Sequence, residues 1–581
     1  MILKSPSIEQ SALIHTKVHR VLAQAFAGTG KTFSLEALVR ANQGSRVLML
    51  VYSKALQKEA RKRFPANVDC FTTHALAGEV KKVYDLAGKF GEVKPLDLVN
   101  AFGLQIEFAR VLLTTVEQFL HSGDDDFVED HVPVTIAAKD VPAVIEYAKQ
   151  VWRVMSDPAD GRLKMSHDGY LKKYQLSKPD LSKSYDIILV DEWQDANPVT
   201  VALVDAQSCR LVLVGDEFQG IFAFRGAADA MRQIEVDQRL AITESRRFGP
   251  AIAGIATVML QHYLSSEKAL VSATPEKVTS FALDYRKPFA IISRTNAKLF
   301  EAATRLLDKR LHFVGGLEAY PFEQLLDMYR LSRGLGGVQD KLLKHLRTVE
   351  AVQRYASTAN DLGLSALLSL VNAYGDALPG LIAQMKAAHV ENSCDAEVQL
   401  LTAHRSKGLE FDQVHLLSDF ANFVSAAGKP VTLVERDDIQ ELHLLYVALT
   451  RAREAIQLNT QICRILSVLD PTNRLQLPKG HDKQRDFLYS PDIDACSVLN
   501  SSKRGLSTHV IPQVSADDLA MTVQRLILRK GLLRVSDLAS AAGVEQGKIT
   551  KVVLTMVADG RLSAKLFDAC PVMALALRKR A

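Results

Sequence analysis

Cysteine is scarce in this chain. The six are Cys70, Cys209, Cys394, Cys463, Cys496 and Cys570, and no two form a C-x-x-C pair. That spacing argues against a zinc ribbon, a disulfide framework and a local iron–sulfur motif. They read instead as small buried hydrophobes of a reducing compartment. No apolar run looks long enough to span a bilayer. The N-terminal segment MILKSPSIEQ holds no apolar signal core. The expectation is a soluble, intracellular protein with no membrane partner. The charge surplus is only +5, too small to name a partner. It is concentrated, however: Ser515 to Ala581 carries 11 Lys/Arg against 6 Asp/Glu, a basic tail suited either to a polyanion or to plain solvation. Neither internal repeats nor low-complexity tracts occur.

What is present is a chain of 581 residues, 48% of them hydrophobic, enough for a sizeable core in about four structural units at roughly 150 residues each. Short runs that are apolar throughout alternate with amphipathic helical patterns. Strands are expected over Val21–Ala27, Arg46–Tyr52, Asp186–Val190, Leu211–Gly215, Phe289–Arg294, Val398–His404 and Gln413–Leu417. Such runs indicate parallel sheets covered on both faces. Two sheets are expected, one before about residue 245 and one after it. Helix-rich insertions lie between, with patterns such as Leu98–Leu120, Val141–Met155, Pro321–Leu335 and Leu362–Tyr374. Asp470–Val514 reads as a linker. Asp517–Lys530, Val535–Ala542 and Gln546–Asp559 read as three helices before a turn at Asp559–Gly560, an arrangement resembling a winged-helix module.

The sharpest local signal is Ala25-Phe-Ala-Gly-Thr-Gly-Lys-Thr32, between an expected strand and an expected helix. In that context it reads as a phosphate-binding loop, although Ala25 stands where the usual pattern has its first glycine. Gly28 and Gly30 let the backbone curl so that amides converge on phosphate oxygens, with Ala27 and Thr29 as the other loop positions. Lys31 would reach the β- and γ-phosphates of ATP, and Thr32 would bind Mg²⁺. A second signal is Asp186-Ile-Ile-Leu-Val-Asp-Glu-Trp-Gln-Asp195. It delivers Asp191 and Glu192 to the C-terminal end of a strand, where parallel sheets place ligands. Asp191 suits Mg²⁺, and Glu192 suits a general base acting on water. Adjacent carboxylates alone are usually surface residues; behind a buried strand and a phosphate loop they indicate nucleotide hydrolysis.

The D-E-x-Q-D pattern resembles motif II of the UvrD/Rep branch of superfamily 1A helicases, and further matches follow in that family's order over about residues 8–460. Gln10 in Ile-Glu-Gln resembles the Q motif. Val214-Gly-Asp-Glu-Phe-Gln-Gly-Ile-Phe-Ala-Phe-Arg-Gly-Ala227 resembles motif III, Glu244-Ser-Arg-Arg-Phe-Gly249 motif IV, Leu400-Leu-Thr-Ala-His-Arg-Ser-Lys-Gly-Leu-Glu-Phe411 motif V, and Leu445-Tyr-Val-Ala-Leu-Thr-Arg-Ala452 motif VI. In wording, motif IV and the Val-Tyr-Ser-Lys form of motif Ia look closest to the F-box DNA helicases, though no F-box segment is seen.

The resemblance implies an α/β fold of two RecA-like lobes with helical insertions, plus the C-terminal winged-helix-like module. Lobe 1A would comprise 1–75 and 185–245, the insertion 1B 76–184, lobe 2A 246–320 and 396–465, and a reduced 2B-like insertion 321–395. A linker over 466–514 and the module over 515–581 would complete the chain. Gln10 would read adenine, Gln219 would sense the γ-phosphate, and Arg247 and Arg451 would contact it from the second lobe beside Glu410. Adenine is commonly clamped between an arginine after the phosphate loop and a tyrosine of motif IV. Phe33 and Arg246 hold those places here, as if the aromatic and the guanidinium had exchanged sides. Tyr52, Thr73, His74, Phe222, Phe224 and His404 fall at strand-contacting positions.

The expected function is an ATP-dependent helicase or translocase on single-stranded DNA and its duplex junctions, in the 3′→5′ sense that the resemblance implies. It would act in repair, recombination or protein displacement. The alternative is a nucleic-acid-stimulated ATPase serving as a sensor or regulatory subunit of a mobile-element or antiviral system. The C-terminal module would either touch duplex DNA through Gln546–Val557 or dock a protein partner. The setting would be cytoplasmic, at a bacterial nucleoid, or nuclear in a eukaryote, with a bacterial or mobile-element origin favoured.

Overall fold

Strands form where aliphatic runs are buried on both faces. Val47–Val51, Ile187–Val190 and Phe289–Ser293 are buried at every position, as expected of strands covered by helices on both sides. A computed structural model describes residues 5–78, 86, 88–222, 230–358, 361–425 and 427–470. The first sheet has six strands: β1 (Arg20–Ala25), β2 (Val47–Val51), β3 (Val68–Thr72), β4 (Ile187–Val190), β5 (Arg210–Gly215) and β6 (Gln238–Ile242). They run in the order β3-β2-β4-β5-β1-β6, all neighbours parallel. A two-stranded ladder pairs β7 (Glu244–Ser245) with β8 (Val271–Ser272). The second sheet comprises β9 (Phe289–Ser293), β10 (Leu311–Phe313), β11 (Val398–Thr402), β12 (Phe411–Leu416) and β13 (Ala452–Gln457). Its order is β10-β11-β9-β12-β13, again parallel throughout.

The chain forms two compact units. The described residues within Met1–Thr72, Asp180–Ala196 and Gln207–Gly505 form the first, which contains both sheets. Within it one apolar core joins Phe26, Ala27 and Phe218 to Phe248, Ile292, Tyr446 and Ile456. The loop after β1 is therefore packed into the core that supports the second sheet. The second unit includes Thr73–Pro179 and Asn197–Ala206. Its core is helical, built by Leu112, Val116 and Phe119 against Val144, Ala148 and Val151.

Several boundaries differ from expectation. The strand expected over Val21–Ala27 stops at Ala25, because Phe26 turns to accept the Thr29 amide. The one expected to reach His404 stops at Thr402, where the short helix Ala403–Ser406 begins. Leu98–Leu120 is two helices, Pro95–Phe102 and Ile106–His121. Gly103 breaks them with φ +68°, a left-handed conformation suited to glycine. The linker expected from 466 instead starts as helix, since Thr460–Leu469 buries Ile462, Ile465 and Leu466. The expectation of no run long enough for a membrane also needs correction. Among the described residues Leu362–Ala388 meets that length and composition. It is, however, two helices separated by a 3-10 turn at Gly375–Ala377, with Leu364, Leu367, Val371, Leu378, Ile382 and Met385 buried. The expected winged-helix-like module lies outside the described residues, as do the residues from 471 onward of the linker.

Candidate functional site

The loop between β1 and the helix Lys31–Arg40 turns at Gly28 (φ +74°) and Gly30 (φ +80°). Both angles favour glycine. Thr29 is buried, its hydroxyl donating to Phe26 O at 2.8 Å. Gln10 braces the loop: its side-chain amide donates to Thr29 O (2.8 Å), while its Oε1 caps the helix Ile8–His15 at the Ser7 amide. The Ala27 amide donates to the hydroxyl of Tyr446 at 3.2 Å. Lys31 Nζ reaches back to Ala25 O at 3.3 Å. The Thr32 hydroxyl donates to Asp191 Oδ2 at 3.2 Å.

Asp191 and Glu192 follow β4, with Glu192 held at φ +56°, an uncommon angle for a residue with a side chain. Burial, then the charge of Glu192, pushes the Asp191 carboxyl up. Burial also opposes ionisation of Glu192, but Lys31, then Lys407, outweighs it and holds this carboxyl below the ordinary range. The pair thus separates into an acid that resists charge and one that keeps it. An oxygen-only set of hydroxyl and buried carboxylate fits a hard divalent cation, so Thr32 and Asp191 suit Mg²⁺. Among the described residues no group of three or more His, Cys, Asp or Glu is arranged to hold a metal without other ligands.

Residues after β7 and just before β13 lie beside this loop. The Arg246 amide donates to Gly28 O at 3.0 Å. A Cβ added at Gly28 would lie 2.6 Å from Arg247 Cβ and 2.5 Å from Ser245 Oγ. Arg247 pairs with Glu410 at 2.7 Å and donates to Thr450 O at 3.0 Å. Arg451 is buried and donates to Gln219 Oε1 at 3.2 Å. Burial, then the like charge of Arg247, brings its guanidinium down to about 9. Gln219 in turn donates to Asp216 Oδ2 at 2.6 Å. Phe33 is half-buried at the loop helix, while the Arg246 guanidinium donates to Ser5 O at 3.0 Å.

An aromatic line runs beside this cleft. Tyr52, at the end of β2, stacks on Phe222 with ring centroids 5.3 Å apart and planes 15° apart. Phe222 lies 6.4 Å from the His404 ring. Lys407 Nζ sits 5.2 Å from the Phe222 centroid and also donates to Gln219 O (2.6 Å) and to Asp195. Phe224 lies outside the described residues. Thr73 and His74 belong to the second unit, in the short helix Thr73–Leu76. There His74 Nε2 is 3.2 Å from Asp168 Oδ1, and His121 Nε2 is 3.3 Å from the other oxygen of the same carboxylate.

Sequence reasoning assigned no role to Lys407, Asp195, Asp216 or Tyr446, all of which sit in this network. The available signal was their place inside the quoted motifs; the pairings of Lys407 with Asp195 and of Tyr446 with Asp216 and Ala27 span too much chain for spacing to reveal.

The description "UvrD-like helicase C-terminal domain" matches residues 38–461, well over half of the chain. The chain belongs to the UvrD-like helicase family. F-box DNA helicase 1 of Gallus gallus is 30% identical over 503 residues, covering 79% of this UvrD-like chain and 49% of its own length. F-box DNA helicase protein 1 of Schizosaccharomyces pombe is 28% identical over 498 residues, covering 77% and 56%. YjcD of Bacillus subtilis is 23% identical over 458 residues, covering 55% and 58%. This UvrD-like chain therefore spans about half the length of the curated relatives it matches.

Proposed function

We propose that the chain is an ATP-dependent DNA helicase or translocase that moves on single-stranded DNA. The observation that carries this reading is the convergence of two cations beside the phosphate loop, with Arg247, just after β7, packed against Gly28 and Arg451, just before β13 of the second sheet, holding Gln219. One nucleotide gripped from two sides turns hydrolysis into lobe movement.

In this reading two RecA-like lobes, 1–75 with 185–245 and 246–320 with 396–465, form the cleft. Loop amides at Gly28, Thr29 and Gly30 cradle phosphate oxygens, and Lys31 reaches the β- and γ-phosphates. Thr32 and Asp191 would hold Mg²⁺, which when bound would neutralise phosphate charge. Glu192, kept ionised by Lys31 and Lys407, orients the attacking water and takes its proton. Gln219 senses the terminal phosphate. Arg247 and Arg451 stabilise charge growing on the transferred group, an effect on the order of 10³-fold or more for an arginine of this kind. Phe33 and Arg246 flank the adenine, and Gln10 steadies the loop beneath it.

The Tyr52–Phe222–His404 line supports a strand track, since aromatic faces stack on bases without reading sequence. By resemblance to the family, Thr73, His74 and Phe224 are further strand-contacting positions. A 3′→5′ direction, preference for DNA, junction binding and a role in repair, recombination or protein displacement complete the reading. The names of the two F-box relatives, each a DNA helicase, support the preference for DNA and the helicase activity in that reading.

Strand displacement on 3′- and 5′-tailed duplexes, with ATP hydrolysis measured alongside, tests it. The expected result is hydrolysis stimulated by single strands and opening of the 3′-tailed duplex. Stimulated hydrolysis without displacement on either substrate would favour the sensor ATPase. Hydrolysis indifferent to nucleic acid would overturn the motor altogether.

A further inference from the structure

The Tyr446 hydroxyl is the meeting point of three motifs. It lies on the helix Arg436–Leu449, within a run buried from Leu442 to Leu449. A tyrosine amid leucine, valine and alanine needs a reason, because burying a hydroxyl without partners is costly. Both partners here are distant in sequence. The hydroxyl accepts the Ala27 amide of the phosphate loop (3.2 Å) and donates to Asp216 Oδ2 after β5 (3.1 Å).

The direction of these bonds is fixed by chemistry. The phenol is held well above its ordinary range by burial and then by Asp216, so it keeps its proton and donates it to the carboxylate. Its oxygen is left to accept the loop amide. Asp216 is fully buried. Besides Tyr446 it accepts from Gln219 Nε2 (2.6 Å) and the Phe218 amide (3.2 Å). Gln219 Oε1 accepts from Arg451, just beyond the end of the helix that carries Tyr446. The path from the loop amide therefore ends in a ring: phenol, carboxylate, glutamine, arginine, and back to the phenol along one turn of helix.

We propose that Tyr446 is a positioning residue that ties the phosphate loop to the Gln219–Arg451 pair, so that loop and cation move as one unit. This inference rests on the nucleotide reading above. A ring of buried hydrogen bonds transmits displacement because each member has no water to take its place. When Arg451 swings toward a terminal phosphate, Tyr446 travels with it and carries the Ala27 amide along. The loop is thereby informed of the second lobe's position through a protein contact as well as through the nucleotide.

The test has an arm that needs no activity. Tyr446→Phe keeps the ring, which packs near Phe218, and removes only the hydroxyl. Amide hydrogen exchange of the loop at Phe26–Gly30 in nucleotide-free protein should quicken about tenfold at Ala27 in this variant, as expected when a buried amide loses its acceptor. The helix Lys31–Arg40 should keep its protection. The second arm is kinetic. Tyr446→Phe should lower kcat about tenfold with little change in KM for ATP, and the double variant Tyr446→Phe/Gln219→Ala should be no slower than Gln219→Ala alone, since both break one ring. Unchanged loop exchange, or single effects that multiply in the double variant, would overturn the proposal. If wild-type protein shows no hydrolysis stimulated by single strands, the motor reading fails while the exchange arm still decides the role of Tyr446.

Discussion

Buried charge is handled in two different ways in this molecule. In the helical unit Lys172 is fully buried, yet its ammonium is surrounded by main-chain oxygen, Ser122 O at 3.0 Å and Asp124 O, with the Phe119 ring 4.5 Å away. Lys89 is treated alike by Val154 O and Asp160 O. In the cleft, like charges are buried together: Asp191 beside Glu192, and Arg451 near Arg247. A lysine caged by carbonyls is complete and fastens loops. Crowded carboxylates and guanidiniums shift one another's titration, and such arrangements cluster at sites that handle charged ligands.

The largest expected effect separates the two kinds. Glu192→Gln should cut ATP hydrolysis by about 10³-fold or more, in line with loss of a group that acts on the attacking water, while the melting temperature hardly moves. Normal turnover in that variant would remove Glu192 from the role of base. Lys172→Met should do the reverse. Two buried carbonyls lose their donor, at about 1–3 kcal/mol each, so thermal melts should fall by on the order of 5 °C with specific activity retained. A Lys172→Met protein as stable as wild type would erase the contrast.

Smaller effects sharpen it. Phe222→Ala should weaken single-strand binding by about 1–3 kcal/mol, read by fluorescence anisotropy, leaving hydrolysis without DNA nearly intact. Asp195 offers a pH signature. Burial pushes its carboxyl up to about 6 against Lys407, from an ordinary 3.8. A carboxyl raised in the folded state stabilises less as pH climbs from about 4 to about 6, because the folded form binds the extra proton there. Relative to wild type, Asp195→Asn should therefore gain stability across that window, and melts showing no such tilt would refute the shift. Least of all, Phe33→Ala should raise KM for ATP with little change at saturation, and an unaltered KM would dismiss its place beside adenine.

Much of this was legible in the order of residues, where the information is local. The helix starting at Lys31, the turn glycines and the carboxylates ending β4 all follow from strand, loop and helix periodicity within ten residues. Parallel sheets followed from runs apolar on both faces. The order β3-β2-β4-β5-β1-β6 did not, because nothing in the run of Leu-Val-Leu-Val chooses its neighbour. For the same reason Lys407 reads as one lysine among several until folding sets it between Asp195 and the Phe222 ring. Tyr446 reads as one more apolar position in its helix until Asp216 and Ala27 meet it. Gly103 was visible as a residue, but not as the end of a helix whose apolar pattern ran straight through it.

The bare Cα of Gly28 has one further consequence. Arg247 comes so near that a single methyl there would act as a shim, adding thickness where loop and arginine are flush. Its effect would reach past local strain, because Arg247 also grips Glu410 and Thr450 O, and a wedge at residue 28 would pull on both.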